Sequence, residues 1–170
     1  MVFVTGFGPF GKVKDNPSGW LARNSGRPFA ELPVTFEAVD EFLAGFDPSG
    51  YRAVLHIGVA AGSRVMRLET RGRNIIGETA DVSGAVQAGE ITPFAPDLRS
   101  RIWADGDAVK GETRWSNNAG SYLCNYLLYR SLERFPDARI GFLHVPMFSA
   151  MPRERQQAIL SRLLTAIESR

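Results

Sequence analysis

The stretch AGSYLCNYLLYRSLERFPDARIGFLHVP, residues 119–146, decides the fold. Its first part carries leucines at the three- and four-residue spacing of an amphipathic helix, namely Leu123, Leu127, Leu128 and Leu132. This spacing predicts a helix over 119–135, for which Asn117 or Asn118 supplies an N-cap. Residues 139–145 follow as a run of strand-forming residues closed by Pro146. A helix followed directly by a strand is the unit from which α/β sheets are built.

The rest of the chain continues this alternation of strands and helices. The pattern predicts strands at 2–5, 34–39, 52–57 and 64–70, helices at 17–23, at 97–104 and from about residue 152, and a long loop at 77–96. The alternation favours an α/β fold: a single three-layer domain with a mostly parallel twisted sheet and helices on both faces.

Composition narrows the possible functions. The chain has 170 residues, of which 44% are hydrophobic and 22% are charged, with a formal net charge of +2. This length fits one domain, residues 1–170, and the dispersed charges argue against nucleic acid or an anionic membrane as partner. A single unpaired cysteine points to a reducing compartment, and the N-terminus has no targeting pattern. We therefore expect a cytoplasmic protein.

The single cysteine, Cys124, precedes one of the two histidines, His144, by 20 residues. A thiol becomes a strong nucleophile when an imidazole accepts its proton, and the carboxyl end of a strand, where His144 lies, is a common ligand-binding position. A helix capped by Asn118 would place Cys124 in its second turn, where the helix dipole acts only weakly. The residues alone leave a second interpretation open, in which both are buried core residues.

Five segments carry recognisable motifs. They are TGFGPFG with NPS (5–11 and 16–18), GVAAG (58–62), Glu69 followed five residues later by Asn74, SNNAGSYLCN (116–125) and FLHVP (142–146). In this order they resemble the pyroglutamyl peptidase I family, also called pyrrolidone carboxyl peptidases. The resemblance covers most of the chain and implies a cysteine exopeptidase that removes N-terminal pyroglutamate from peptides through a thioester intermediate.

The resemblance also implies a catalytic triad. Cys124 would be the nucleophile, His144 the base and then the acid, and Glu69 the carboxylate that orients the imidazole. Without the resemblance, the residues favour a solvated charge at a strand end for Glu69. Glu78 and Asp81 are rival carboxylates in the long loop.

Substrate-binding residues follow from the same likeness. Phe7 and Phe10 would sandwich the small neutral pyrrolidone ring, although both rings are also credible loop anchors. Backbone groups of Val59 and Ala60 would read the lactam N–H and C=O. Asn16 is assigned to bracing the loop around this pocket.

The sequence departs from the family at two places. Residues 77–83 lack an arginine at the matching position, so the backbone N–H of Cys124 or the side chains of Arg71 or Arg73 would have to stabilise the oxyanion. The region 18–56, which forms subunit contacts in the family, is shortened, and this leaves open whether the chain is a homo-oligomer.

Parts of the sequence are also compatible with other residue roles and other functions. His56, flanked by apolar residues, is expected to be a buried hydrogen-bonded residue, with a rival catalytic base as the alternative. One cysteine and two distant histidines do not have zinc-ligand spacing, and we expect neither a metal nor another cofactor. Two further functions remain open: a descendant that binds lactams or blocked peptides without efficient turnover, and a different thiol hydrolase.

Overall fold

The fold is that of a computed structural model, which describes residues 1–11 and 13–170. Its elements in chain order are β1 (Val2–Phe7), α1 (Pro17–Arg23), β2 (Phe29–Leu32), α2 (Phe36–Gly45), β3 (Ala53–Val59), β4 (Met66–Glu69), β5 (Arg71–Gly72), β6 (Leu98–Arg99), β7 (Thr113–Ser116), α3 (Leu123–Arg134), β8 (Ile140–Val145) and α4 (Arg153–Ser169).

Within these described residues, six strands form a central sheet in the order β2-β1-β3-β8-β4-β7. Strand β4 runs antiparallel to β8, whereas the other four strand pairs are parallel. The parallel strands β1, β3 and β8 are buried almost throughout, as expected for strands covered on both faces. The short strands β5 and β6 pair separately and antiparallel to each other.

Two hydrophobic clusters lie on opposite faces of the sheet. Helices α1 and α4 cover one face, where Leu21 packs with the apolar stripe of α4. Helices α2 and α3 cover the other face, where Phe36 and Leu127 pack with Phe142 of β8. The prediction of an α/β fold with a mostly parallel sheet between two helical layers is confirmed.

Most predicted elements lie where the sequence placed them. The bounds of α1 agree with the prediction, and β1, β3, β4, β8 and the start of α4 agree within two residues. The apolar side of α4 is buried as expected, with Ile159, Leu163, Leu164 and Ile167 at most 3% exposed. Residues 77–96, all of which are described, form no helix or strand, in agreement with the predicted loop.

The strand predicted at 34–39 is wrong, because this segment enters helix α2. The Thr35 hydroxyl accepts a hydrogen bond from the Ala38 N–H, which is the arrangement of an N-cap. Buried Phe36, Val39 and Leu43 follow at helical spacing. Six residues were too few to distinguish this spacing from strand alternation.

The helix predicted at 97–104 is also wrong. Leu98 and Arg99 form strand β6 against β5, and the Ser100 N–H donates to the Thr70 carbonyl. A non-local partner therefore satisfies this backbone, which local helix propensity could not indicate.

The structure also bears on membrane association. Across residues 1–11 and 13–170, we find no helix with both the length and the apolar character that crossing a membrane requires.

Candidate active site

The candidate site lies where strands β3 and β8 end beside the start of helix α3. Gly58 of β3 is directly opposite His144 of β8 in the parallel register. The sulfur of Cys124 lies against this strand pair, next to Gly58. Strand ends and a helix start therefore bring the predicted thiol and imidazole together.

Helix α3 begins at Leu123, four residues later than predicted, so Cys124 lies in its first turn and the second-turn placement is wrong. The Asn118 side chain accepts the Gly120 N–H at 3.0 Å, and Gly120 has a φ of 87°, which is a left-handed conformation that favours glycine. In a first turn the helix dipole favours negative charge, and the backbone N–H has no intrahelical acceptor. Both features suit a thiolate and a developing oxyanion.

His144 is held between two partners. Its Nδ1 lies 2.8 Å from Oε1 of Glu69, which is fully buried, and the Cys124 side chain is near enough to the ring to act on its protonation. The Glu69 contact engages Nδ1, which leaves Nε2 to face the thiol. Burial by itself lowers the pKa of His144, but the charge and hydrogen bond of Cys124 and the hydrogen bond and charge of Glu69 outweigh burial and raise this pKa to about 9. The geometry is that of a thiol–imidazole–carboxylate chain.

The rival carboxylates lie elsewhere. Glu78 is exposed, and Asp81 accepts hydrogen bonds from the N–H groups of Phe36 and Ser83. These bonds lower the pKa of Asp81, with the Ser83 hydroxyl as the largest contribution. Asp81 therefore stabilises the loop, and Glu69 is the carboxylate beside the imidazole.

Next to Cys124 lies a cavity of about 230 Å³. Its lining is mostly apolar and consists of Phe7, Phe10, Asn16, Val34, Val59, Tyr122, Leu123 and Cys124. Four of the five predicted binding residues, Phe7, Phe10, Asn16 and Val59, thus line the same cavity as the thiol. The fifth, Ala60, is not part of this lining, and its N–H and carbonyl already pair with Val145 and Ser63.

Asn16 has the bracing geometry that the sequence suggested. Its amide donates to the Gly8 carbonyl at 2.8 Å, and its Oδ1 accepts from the N–H and hydroxyl of Ser18. It therefore caps α1 and fixes the loop that carries Phe10 beside the cavity.

Besides Leu123, which was predicted only as a residue of the apolar helix face, sequence reasoning missed two cavity residues, Val34 and Tyr122. The long loop holds both: the Val82 N–H donates to the Val34 carbonyl at 3.2 Å, and the Tyr122 hydroxyl donates to the Ala80 carbonyl at 3.1 Å. Tyr122 lies inside the motif around Cys124 and could have been found from that motif. Val34 is brought in by non-local contacts and had no signal.

The two arginines considered for the oxyanion have other contacts. Arg71 forms an ion pair with Asp97 at 3.4 Å, and Arg73 donates to Asn118 at 3.0 Å. Arg73 therefore supports the turn before α3. The backbone N–H of Cys124 remains the donor at the thiol itself.

His56 occupies a separate environment. Its Nδ1 lies 2.8 Å from the Thr5 hydroxyl and its Nε2 lies 2.9 Å from the Ser131 hydroxyl. Burial lowers the pKa of His56 to about 3, so the ring is neutral across the neutral pH range. This is the hydrogen-bonded structural role expected for it.

Known proteins share both the sequence and the fold. The family model for pyroglutamyl peptidase matches residues 109–162, which include Cys124 and His144. The pyrrolidone-carboxylate peptidase of Pyrococcus furiosus is 31% identical over 85% of this chain and 80% of its own length, and that of Staphylococcus aureus strain JH9 is 28% identical over 99% and 93%.

Solved structures agree with these relatives. The pyrrolidone carboxyl peptidase of Thermus thermophilus superposes with a TM-score of 0.83 at 33% identity over 96% of this chain and 98% of its own. A mutant of the Pyrococcus furiosus enzyme gives a TM-score of 0.88 at 26% identity over 99% and 98%. The chain belongs to the pyroglutamyl peptidase family of cysteine peptidases.

Proposed function

We propose that this protein is a cysteine exopeptidase that removes N-terminal pyroglutamate from peptides through a thioester intermediate. The observation that carries the proposal is the chain from Glu69 through His144 to Cys124, which ends at the apolar cavity containing Phe7 and Phe10. We also propose the catalytic and binding roles of these residues.

In the first half-reaction, the Cys124 thiolate attacks the pyroglutamyl carbonyl carbon. The carbonyl oxygen becomes negatively charged and accepts a hydrogen bond from the backbone N–H of Cys124 in the first turn of α3. His144 then protonates the leaving nitrogen from Nε2 as the C–N bond breaks, which leaves a thioester and a free peptide amine. Glu69 holds the opposite ring nitrogen, which fixes the tautomer and stabilises the imidazolium.

In the second half-reaction, neutral His144 takes a proton from water. The resulting hydroxide attacks the thioester carbon and the C–S bond breaks, which releases pyroglutamate. The Cys124 thiolate and the protonated imidazole are thereby restored.

The cavity supports a preference for a blocked N-terminus. Phe7 is 4% exposed and Phe10 is half-buried, and both contribute apolar walls together with Val59. A neutral lactam ring can enter such a cavity, whereas a charged amino terminus would lose its hydration without a compensating partner. Asn16 keeps the Phe10 loop in place, and Val59 at the end of β3 supplies backbone beside the cavity.

The wider setting is part of the proposal. We expect residues 1–170 to act as a single catalytic domain in the cytoplasm on peptides with a blocked N-terminus, without a cofactor, nucleic acid or membrane partner. Light scattering of the purified protein would measure whether the chain forms a homo-oligomer.

The test compares two chromogenic amides with the purified protein. One carries pyroglutamate and the other carries proline, which has a similar ring with a charged amine in place of the lactam. We expect the pyroglutamyl amide to be hydrolysed and the prolyl amide to be spared.

Cys124→Ala and thiol alkylation should abolish this hydrolysis. Binding of 2-pyrrolidone without turnover would favour the lactam-binding alternative, and hydrolysis of both amides would favour a different thiol hydrolase. Phe10→Leu should mainly raise KM if the ring lies against the substrate.

A further inference from the structure

We propose that Gly58 is a positioning residue whose missing side chain creates a notch that holds the Cys124 sulfur against His144. The inference rests on the proposed function, since it explains how the thiol is aligned for that chemistry. It concerns the residue opposite His144 in the β3–β8 register.

The notch is defined by distances around Gly58. A Cβ added there would lie 2.7 Å from Sγ of Cys124, 2.6 Å from Cζ of Phe142 and 3.0 Å from Cε1 of the same ring. These separations are well below the ~3.5–4.0 Å of an optimal contact between heavy atoms. Gly58 lies within strand β3, in an extended conformation that any residue can adopt. Space, and not backbone conformation, is therefore what requires glycine.

The two neighbours differ in how readily they can move. Phe142 is fully buried, and its ring lies between His56 and His144 with centroid distances of 6.4 and 4.8 Å. The Cys124 sulfur ends a side chain with one torsion, and it borders a cavity of about 230 Å³. A methyl group at position 58 should therefore displace the sulfur into another staggered rotamer more readily than it displaces the ring.

Displacement of the sulfur separates it from the imidazole. The interactions with Cys124 are among those that raise the pKa of His144. The thiolate–imidazolium pair therefore depends on the position of the sulfur beside Gly58. The substrate ring would still find the aromatic walls at Phe7 and Phe10. Gly58 thus acts on the chemistry of the thiol and not on recognition of the ring.

The experiment measures Gly58→Ala by three readouts. We expect kcat/KM for the pyroglutamyl amide to fall about 100- to 10,000-fold, which is the range for loss of a positioned general base. Inhibition by 2-pyrrolidone should keep its wild-type constant. Alkylation of Cys124 by iodoacetamide should slow at neutral pH, because the displaced thiol no longer has the imidazole as its base.

Gly141→Ala supplies a matched control in the neighbouring strand β8. An added Cβ there would collide with the side chain of Ile102, not with Cys124. This variant should lose stability yet keep the wild-type pH profile of alkylation. A second control is Gly45→Ala, at a position with no atom within 4 Å of the added Cβ, and it should match wild type in every readout.

The outcomes separate the notch from the function. If Gly58→Ala has the same alkylation rate and pH profile as wild type, the notch is overturned, whatever the peptidase activity is. Failure of the wild-type protein to hydrolyse the pyroglutamyl amide would overturn the proposed function, while the alkylation comparison would still decide the notch. If Gly58→Ala does not fold, the double variant with Phe142→Leu removes the ring contacts and keeps the sulfur contact. That variant should alkylate more slowly than Phe142→Leu alone, and equal rates would again overturn the notch.

Discussion

The two histidines occupy adjacent strands, are both buried, and have opposite protonation behaviour. His56 of β3 is 1% exposed and His144 of β8 is 5% exposed, yet the pKa of His56 is lowered to about 3 and that of His144 is raised to about 9. Burial lowers both values. The difference therefore comes from the partners and not from depth in the core.

Helix α3 supplies one partner to each ring. Cys124 lies near His144 and acts on its protonation, and Ser131, two helical turns further on, hydrogen-bonds His56. The second partner of His144 is the carboxylate of Glu69, whereas the second partner of His56 is the hydroxyl of Thr5. Charged partners stabilise an imidazolium, and neutral hydroxyls satisfy the ring without charging it. The same scaffold thus produces one catalytic candidate and one structural residue.

The sharpest test of this contrast replaces each histidine by glutamine. His144→Gln should lower kcat/KM for a pyroglutamyl amide by about 100- to 10,000-fold, because the general base and acid is lost. His56→Gln should keep kcat/KM near wild type and lower the melting temperature. A comparable loss of activity in folded His56→Gln would reverse the assignment of the two rings.

Glu69→Gln tests the charged partner while keeping an oxygen that can accept the Nδ1 proton. We expect about a 100-fold loss of kcat, since the carboxylate no longer stabilises the imidazolium. The pKa of His144 should also fall, and the alkaline limb of the pH–rate profile should move to lower pH with it. In wild type this limb should lie near the His144 pKa of about 9. An alkaline limb that is the same in both proteins would argue against His144 as the titrating group.

The sequence alone could predict only part of this contrast. The two rings have similar contexts, VLHIG at 54–58 and FLHVP at 142–146, each near the end of a buried strand. Periodicity located both strands, and the resemblance of FLHVP to the family's histidine segment identified which histidine to pair with the thiol. The partners that set the two pKa values come from distant segments, and spacing along the chain does not reveal them.

The same limit explains the incorrect elements. Gly120 in a left-handed conformation and the contact from Arg73 to Asn118 set the start of α3, so the turn holding Cys124 depends on residues 45 positions apart. Within the segment 97–104, strand β6 pairs with β5, and local helix propensity cannot indicate this partner. Local patterns located β1, β3, β4, β8, α1 and most of α3 and α4, but they missed α2, β2 and β7. The geometry at the ends of the elements came from non-local hydrogen bonds.

Stability should depend on pH in opposite directions at the two rings. Unfolded His56 takes up a proton near pH 6.5, but folded His56 does so only near pH 3. Its contribution is therefore present above pH 6.5 and is lost as pH falls, with a slope of up to about 1.4 kcal/mol per pH unit. The interactions of His144 stabilise fully below pH 6.5 and are lost as pH rises through about 9.

Chemical denaturation across pH 4 to 9.5 can separate these contributions. The free energy of unfolding of His56→Gln should fall less steeply than that of wild type between about pH 4 and 6.5, because one proton-linked group is gone. The carboxylates contribute equally to the pH dependence of both proteins, so their contribution cancels in this difference. Parallel acid limbs in the two proteins would show that His56 does not titrate on unfolding.

The smallest expected effect comes from Ser131→Ala, which removes one neutral partner of His56. The Nε2 atom, 2.9 Å from the Ser131 hydroxyl, would lose its buried partner, and we expect a loss of about 1–2 kcal/mol in unfolding free energy. Thr5→Val at the other ring nitrogen should have a similar effect, because each hydroxyl can donate or accept and each satisfies one nitrogen. Activity should stay at the wild-type level in both variants, because His56 has no role at the thiol. A fall in kcat/KM for Ser131→Ala with normal stability would instead mean that α3 couples the two rings, and that the neutral histidine contributes to the placement of Cys124.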